Sequence, residues 1–439
     1  MPSKITIIGG GSSTFVPQLM RLFLGSQVLE GSTISLMDID PQRLQTMDTL
    51  CRRLVEMDGN KLKIVSTGDQ RESLDGADFV ITAISVGGMD AWEKDIEIPA
   101  KHGIYMPIAD SIGPGGMMRA FRHIPVLASV CQDLDELSPD AIIFNYSNPA
   151  TANTMAMRWV SSVASFGLCT CSSIPRSAMY LAGQAGLEEK ELLVPAPAAG
   201  LNHCAAVISL SLADGSDALP IIEERAENYI VRWGLETFGV LPYCWSHWTE
   251  FFPSLLRLEG KYEGKLQGLP MAYGLHVHDM EHERARSAYW HDMVDQLVSG
   301  KQQLSLDVLP PSEAIEVVEI MEAVLTNSNA VYIVNVPNEG AISNLPDDAI
   351  VEVTSIVNGY GITPVQVGPI PEAWAAMLRT HISVQELTVE AALSGDRDVA
   401  LQAFLLDPNV AQKLSPQEAE ALLDELLEAH SAYLPQFYG

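Results

Sequence analysis

Two side chains stand out first for the chemistry they could do together. Cys169 ends the short apolar run Phe166-Gly167-Leu168, and His203 follows Gly200-Leu201-Asn202 just before Cys204-Ala205. A thiolate and an imidazole at strand ends can converge on one divalent cation. Two protein ligands leave positions open for substrate oxygens and water, as a Lewis-acid site requires. No paired Cys-x-x-Cys or His-x-x-x-His accompanies them, so spacing alone is equally met by a buried thiol and a hydrogen-bonded core histidine. Cys171 and Cys204 read as wall residues. A further run holds His276, His278, Glu281 and His282. His278 and His282 would share a face on a helix, but the run follows Gly274 and reads as a solvated or interfacial segment.

The second constellation is Ile5-Thr6-Ile7-Ile8-Gly9-Gly10-Gly11-Ser12-Ser13, a strand running into glycines and then a helix. Glycine permits the tight turn and lets the backbone approach a pyrophosphate, and the helix N-terminus adds N–H groups and a positive dipole end. Thr14 occupies the place of the third glycine of G-x-G-x-x-G. Asp38 ends the next strand, where an acid can bond the ribose hydroxyls of NAD and repel a 2′-phosphate. It could equally cap the helix that begins near Pro41. Position, strand context and charge together favour NAD.

These residues need a scaffold, and the first third of the chain supplies one. Short β-branched runs at residues 4–8, 33–37, 77–84 and 141–144 alternate with helical stretches at 14–24, 41–57 and 120–137, with a loop at Gly87-Gly88. That alternation predicts a parallel α/β sheet. Residues 165–169 and 205–212 read as further strands, and the acidic stretch 416–430 as a packed helix. The fold expected is α/β: a Rossmann domain over residues 1–165, and an α+β substrate, metal and oligomerisation domain over 166–439.

The 439 residues are 47% hydrophobic and 19% charged, enough apolar material for a large core and against disorder. A formal charge of −30 repels phosphate backbones and anionic lipid, so neither nucleic acid nor a membrane surface is an expected partner. Six cysteines are too few for a disulfide scaffold in a chain this long. The opening residues carry no secretory pattern, and no apolar run is long enough to span a bilayer. A cytoplasmic protein is expected.

Taken in order, the motifs resemble the NAD- and divalent-metal-dependent glycoside hydrolases of family 4, which share the lactate and malate dehydrogenase fold. The resemblance runs through IIGGGSS, LMDID at Asp38, VGGMDAWEKDIEIPAKHGI from Val86, DSIGPGGMMRAFRHIPV from Asp110, NYSNPA from Asn145, GLC at Cys169 and GLNH at His203. It continues with NVPNEGAISNLPDDAIVEV from Asn335. It implies manganese held by Cys169 and His203, and a cofactor set of Gly9, Gly11, Ser12, Ser13, Asp38, Arg43, Ser85 and Asn148. Asn148, Asn202, Asp110 and Arg284 are the implied substrate contacts. The family's chemistry departs from the two-carboxylate mechanism. NAD takes hydride from sugar C3, a base removes the acidified C2 proton, the glycosidic oxygen leaves, water adds and hydride returns. Relatives are dimers or tetramers, so a homodimer or homotetramer is implied.

Three departures from the family pattern carry information. Trp92 follows Ala91 where phospho-sugar members place an arginine, and an indole cannot pair with a phosphate; an unphosphorylated, α-linked hexoside or hexuronide is the implied substrate. Thr170 follows Cys169 where relatives carry Asp, Asn or His, and a threonine is a poor general acid. The segment Leu241-Pro242-Tyr243-Cys244-Trp245-Ser246-His247-Trp248-Thr249-Glu250 keeps His247 and Glu250 but has Trp245 in place of an acid. Tyr243 or His247 is then the base, with His247 favoured because its pKa suits neutral pH. The competing function is an NAD-dependent sugar or hydroxy-acid dehydrogenase or epimerase, and a third is a non-catalytic ligand-binding protein.

Overall fold

The computed structural model describes residues 2–172, 182–183, 185–261, 266, 268–310 and 316–438. Its centre is a nine-stranded sheet. Six strands are parallel: β1 (Lys4–Ile8), β2 (Thr33–Met37), β3 (Lys63–Thr67), β4 (Phe79–Thr82), β5 (Ile142–Asn145) and β6 (Ala164–Gly167). They lie in the order β3-β2-β1-β4-β5-β6, the doubly wound arrangement with its crevice where the order reverses between β1 and β4. The hairpin β7 (Ala198–Leu201) and β8 (Cys204–Val207) stands apart from this sheet. Three antiparallel strands, β9 (Ala330–Pro337), β10 (Ile350–Asn358) and β11 (Gly361–Pro364), extend the sheet beyond β6. The sheet therefore continues across residue 165, which lies inside β6.

Local sequence explains most of these elements. β1, β2 and β4 are nearly continuous buried β-branched or apolar runs, as a sheet covered on both faces demands. Helix α1 (Phe15–Gly25) follows the glycine turn, and α2 (Pro41–Asp58) starts on proline with the Asp40 carboxylate accepting from the N–H groups of Gln42 and Arg43. Asp40, not Asp38, caps α2. The strand β3 escapes sequence reading because it is a half-exposed edge bearing lysine, serine and threonine.

Three further differences matter for the site. Helix α3 (Gly88–Lys101) begins at the glycine pair that reads as a loop, and it carries Trp92. Helix α4 (Gly113–Leu137) begins seven residues before the expected 120. Its first turn, Gly113-Pro114-Gly115-Gly116, has poor helix propensity, but a Cβ on Gly116 would fall 2.5 Å from the Ser111 carbonyl carbon. Glycine there lets the helix pack against the loop that carries Asp110. Finally, the expected strand 205–212 is β8 preceded by β7, with Asn202-His203 as their two-residue turn. The acidic helix α5 (Pro416–Ala429) forms as read, with a Ser415–Glu418 capping box. Among the described residues no helix is long and apolar enough to cross a membrane.

Candidate active site

The glycine turn leaves β1 with the N–H groups of Gly9 and Gly10 both donating to the Met37 carbonyl, at 3.0 and 2.8 Å. Gly9 has φ +96°, and a Cβ there would lie 2.3 Å from the Ala83 oxygen; no other residue fits. Asp38 accepts from the Gly11 N–H at 2.8 Å, so its carboxylate closes the turn. Beside it a cavity of about 310 Å³ is lined by Asp38, Ile39, Leu44 and Gly68, and Ile39 is 90% exposed, an apolar shelf at the edge of the crevice. Ser12 Oγ accepts from the Phe15 N–H at 3.1 Å. Ser13 is buried with no partner for its hydroxyl, an orphan that a phosphate oxygen would satisfy. Arg43 flanks the turn, its Cβ touching the space beside Gly11, and lies 3.9 Å from Asp295. Ser85 is exposed after β4, its carbonyl accepting from the Gly88 N–H.

A second cavity, of about 410 Å³, opens at the C-terminal ends of β4, β5 and β6. It brings together Asp110, Asn148, Cys169, His203 and His247, which come from five separate segments. Asn148 donates to Asp110 Oδ2 at 2.7 Å. Ser111 Oγ–H donates to Asp110 Oδ1 at 2.7 Å and lies 2.8 Å from His203 Nδ1. The serine proton is committed to the carboxylate, so Nδ1–H donates to Ser111 and His203 Nε2 is left as a ligand atom. His203 itself holds φ +67° at the hairpin turn, strained backbone of the sort that clusters at functional sites. His247 stacks on His203 with ring centroids 3.8 Å apart, and its Nε2 lies 3.8 Å from Asp110.

The charges are set by these neighbours. Burial acts to raise the Asp110 pKa, but the imidazoles of His247 and His203 and the guanidinium of Arg119 outweigh it and hold the carboxyl well below its usual range. The Cys171 thiol and burial push the Cys169 thiol up, against the opposing pull of His203. Thr170 lines the cavity and offers only a hydroxyl.

Four expected site residues sit elsewhere. The Tyr243 hydroxyl is buried and donates to Glu352 Oε1 at 2.6 Å; burial and that carboxylate push its pKa well up. Asn202 donates to Glu352 Oε2 at 2.7 Å and does not line the cavity. Glu250 is fully buried, and its Oε1 accepts from the N–H groups of Ile108 and Ala109 at 2.6 and 2.8 Å. It supports the loop carrying Asp110 and is not among the residues lining the cavity. Arg284 pairs with Asp90 and Glu93 on α3, each at 2.7 Å, and does not reach the cavity.

Other residues of the site were not apparent in the sequence. Glu352 on β10 is fully buried and ties Asn202, beside His203, to Tyr243, beside Cys244. His123 accepts from the Val86 N–H at 3.1 Å and meets the Asn148 carbonyl at 2.8 Å, locking the loops after β4 and β5 to each other. Arg119 lies over the Trp92 ring, 5.4 Å from its centroid, and lines the cavity. His278, expected in a solvated segment, stacks on Trp92 at 4.5 Å and is part of the wall. Cys171 is more than wall: with Cys244, His203 and His247 it forms a set of donor atoms within 4.8 Å of one another.

Comparison with known proteins identifies the family. The family 4 glycosyl hydrolase pattern matches residues 4–180, and that of the family 4 glycosyl hydrolase C-terminal domain matches residues 198–410. An alpha-galactosidase of Bacillus subtilis is 32% identical over 453 residues, covering 99% of both chains. An alpha-galacturonidase of Lachnoclostridium phytofermentans is 29% identical, covering 99% of this chain and 97% of its own. In fold, the chain matches a 6-phospho-alpha-glucosidase from gut microorganisms, solved in complex with NAD and Mn2+, with a TM-score of 0.83 at 23% identity over 99% of this chain and 100% of that one. The chain belongs to the family 4 glycosyl hydrolases.

Proposed function

We propose that this glycosyl hydrolase uses NAD and a divalent cation, manganese first, to cleave an unphosphorylated, α-linked hexoside or hexuronide. Residues 1–165 would carry the dinucleotide together with Asp110, Asn148, Trp92 and Arg119 of the sugar cavity, and 166–439 the metal ligands Cys169 and His203 with His247 and His278. The observation that carries the reading is the convergence of Asp110, Asn148, Cys169, His203 and His247 on one cavity at the mouth of the doubly wound sheet. The residues fit both groups. The glycine cradle would be filled by a single Cβ, Ser13 holds an orphaned hydroxyl, and Ser111 leaves His203 Nε2 to a metal. When bound, NAD supplies hydride exchange with a sugar carbon and the cation supplies Lewis-acid stabilisation of the adjacent developing charge.

The chain's own groups do the rest. Asp110, held ionised, accepts from a sugar hydroxyl, and Asn148 fixes its direction. His247, close to Asp110 and stacked on His203, takes and holds the proton removed from the carbon next to the oxidised centre. Trp92 and His278 form an aromatic wall on which a sugar face can stack. Arg119 adds a cation to that wall, which suits a uronate carboxylate. A cytoplasmic setting accords with six cysteines that no disulfide joins, and assembly as a homodimer or homotetramer follows the family.

The test is a panel of nitrophenyl glycosides, α and β, neutral, uronic and 6-phosphorylated, with and without NAD+ and Mn2+ under reducing conditions. Nitrophenol release that needs both cofactors and leaves no net NADH is the expected result. NADH accumulation without cleavage would instead establish a dehydrogenase or epimerase.

A further inference from the structure

We propose that Cys171 and Cys244, with His203 and His247, form a second cation position that takes a thiophilic ion such as Zn2+ and shares His203 with the Cys169 site. The four donor atoms lie within 4.8 Å of one another, and Cys244 Sγ is 3.2 Å from His247 Nδ1. They reach this point from four segments. Cys171 stands in the single turn Thr170–Ser172 after β6, and His203 at the β7–β8 turn. Cys244 follows the short strand Leu241–Pro242 paired with β8, and His247 lies in the turn Trp245–Trp248. Four ligands at ordinary zinc bond lengths stand about 3.3–3.8 Å apart, so side-chain rotations of roughly an ångström close the set.

Both imidazoles are already oriented for it. Ser111 occupies His203 Nδ1 and leaves Nε2. Asp110 faces His247 Nε2 and leaves Nδ1, the atom beside Cys244. Ser111 gives His203 the outer hydrogen-bond partner of a metal-bound histidine, and Asp110 stands 3.8 Å from the far nitrogen of His247. Two thiolates make the set soft, which favours zinc over manganese. Binding releases the thiol protons to solvent and oxidises nothing.

The composition also sets the consequence. Four protein donors form a closed position with no place for substrate, whereas the Cys169–His203 pair leaves positions open. Because His203 belongs to both, occupancy of one excludes the other, and His247 is held by the ion. A thiophilic ion is therefore an inhibitor competing with the catalytic cation. That consequence rests on Cys169 and His203 holding the catalytic ion; the closed site stands on its own donors.

The experiment titrates the reduced, chelator-stripped full chain with Co2+ and then displaces it with Zn2+. Intense tetrahedral cobalt absorption with thiolate-to-cobalt charge transfer is expected. Cys171→Ser and Cys244→Ser should each remove about half of the charge-transfer intensity and weaken Zn2+ binding at least about tenfold, while Cys169→Ser leaves both intact. Circular dichroism checks each single variant for folding, so neither result depends on a double variant. Charge transfer that disappears with Cys169→Ser and is untouched by Cys171→Ser and Cys244→Ser would overturn the proposal. The readout is independent of hydrolysis: a chain inactive on every sugar but showing this cobalt spectrum would sink the glycosidase reading and leave the closed site standing.

Discussion

The side-chain amide of Asn148 donates to the carboxylate of Asp110 across 2.7 Å, joining the turn after β5 to the loop before α4. Through Ser111 the same carboxylate reaches His203. A continuous polar chain thus runs from the turn after β5 to His203, with a single negative charge in its middle. Asp110→Asn keeps the shape and removes that charge. It should lower kcat/KM at least about 100-fold, the scale for losing a preorganised electrostatic group, with little change in the far-ultraviolet circular dichroism. Nitrophenyl glycoside kinetics measure it.

Ser111 lies 2.8 Å from His203 Nδ1 and is not among the residues lining the cavity. Ser111→Ala frees Nδ1, lets the tautomer shift and should weaken cation binding by roughly 10–100-fold, as loss of an outer hydrogen bond to a ligating histidine does. Equilibrium dialysis with Mn2+ reads this directly. An unchanged affinity would show that Ser111 does not set the tautomer.

The two candidates for the base separate cleanly. Tyr243 is buried with its hydroxyl on Glu352 and is not among the residues lining the cavity, whereas His247 lines it beside Asp110. Tyr243→Phe should keep activity within about tenfold, losing mainly one buried hydrogen bond. His247→Asn should cost about 100-fold or more, the usual contribution of a general base, and should slow exchange of the sugar C2 proton with solvent deuterium. The reverse pattern would return the role to Tyr243.

Glu250 gives the protein a pH dependence of known sign. Burial raises its pKa to about 7, against the opposing effect of His247, while the unfolded chain ionises near the ordinary glutamate value of about 4.3. Between those values the folded state holds the proton and the unfolded state has lost it. Stability is therefore greatest at the acid end of this window and declines as pH rises through about 7. Glu250→Gln keeps an acceptor for the Ile108 and Ala109 N–H groups, so its urea midpoint should lose that decline. Glu250→Ala releases the loop, with Ala109 at φ +58°, and should depress activity as well as stability.

What the sequence reveals divides along the range of the interactions. β1, β2 and α2 are readable because their signals, β-branched runs and a proline at the first helical turn, are local. Cys169, His203, Asp110 and Asn148 were found by motif, and all four lie on the cavity. Glu250 and Tyr243 come from the same stretch as His247 but lie in different local elements: Tyr243 follows the strand Leu241–Pro242, His247 lies in the turn Trp245–Trp248 and Glu250 in the next turn, Thr249–Phe251. Glu352 and Cys244 carry no local signal: their meaning comes from contacts 109 to 150 residues away for Glu352, and from the fold around Cys171 for Cys244. The first turn of α4 is hidden because its glycines serve close packing at the expense of helix propensity.

Gly9 offers the sharpest test of the nucleotide site. Its φ of +96° is closed to a side chain without strain, and an added methyl would overlap the Ala83 carbonyl at 2.3 Å. Gly9→Ala must therefore push β1 and β4 apart where the dinucleotide would lie. NAD+ binding, followed by quenching of protein fluorescence, should weaken by at least about tenfold, equivalent to about 1.4 kcal/mol or more. Cobalt binding should be unaffected, because the four cation donors come from segments after residue 170 and none belongs to the glycine turn. Loss of both together would point to general unfolding, whereas NAD+ affinity equal to the parent would remove the glycine turn from the cofactor site.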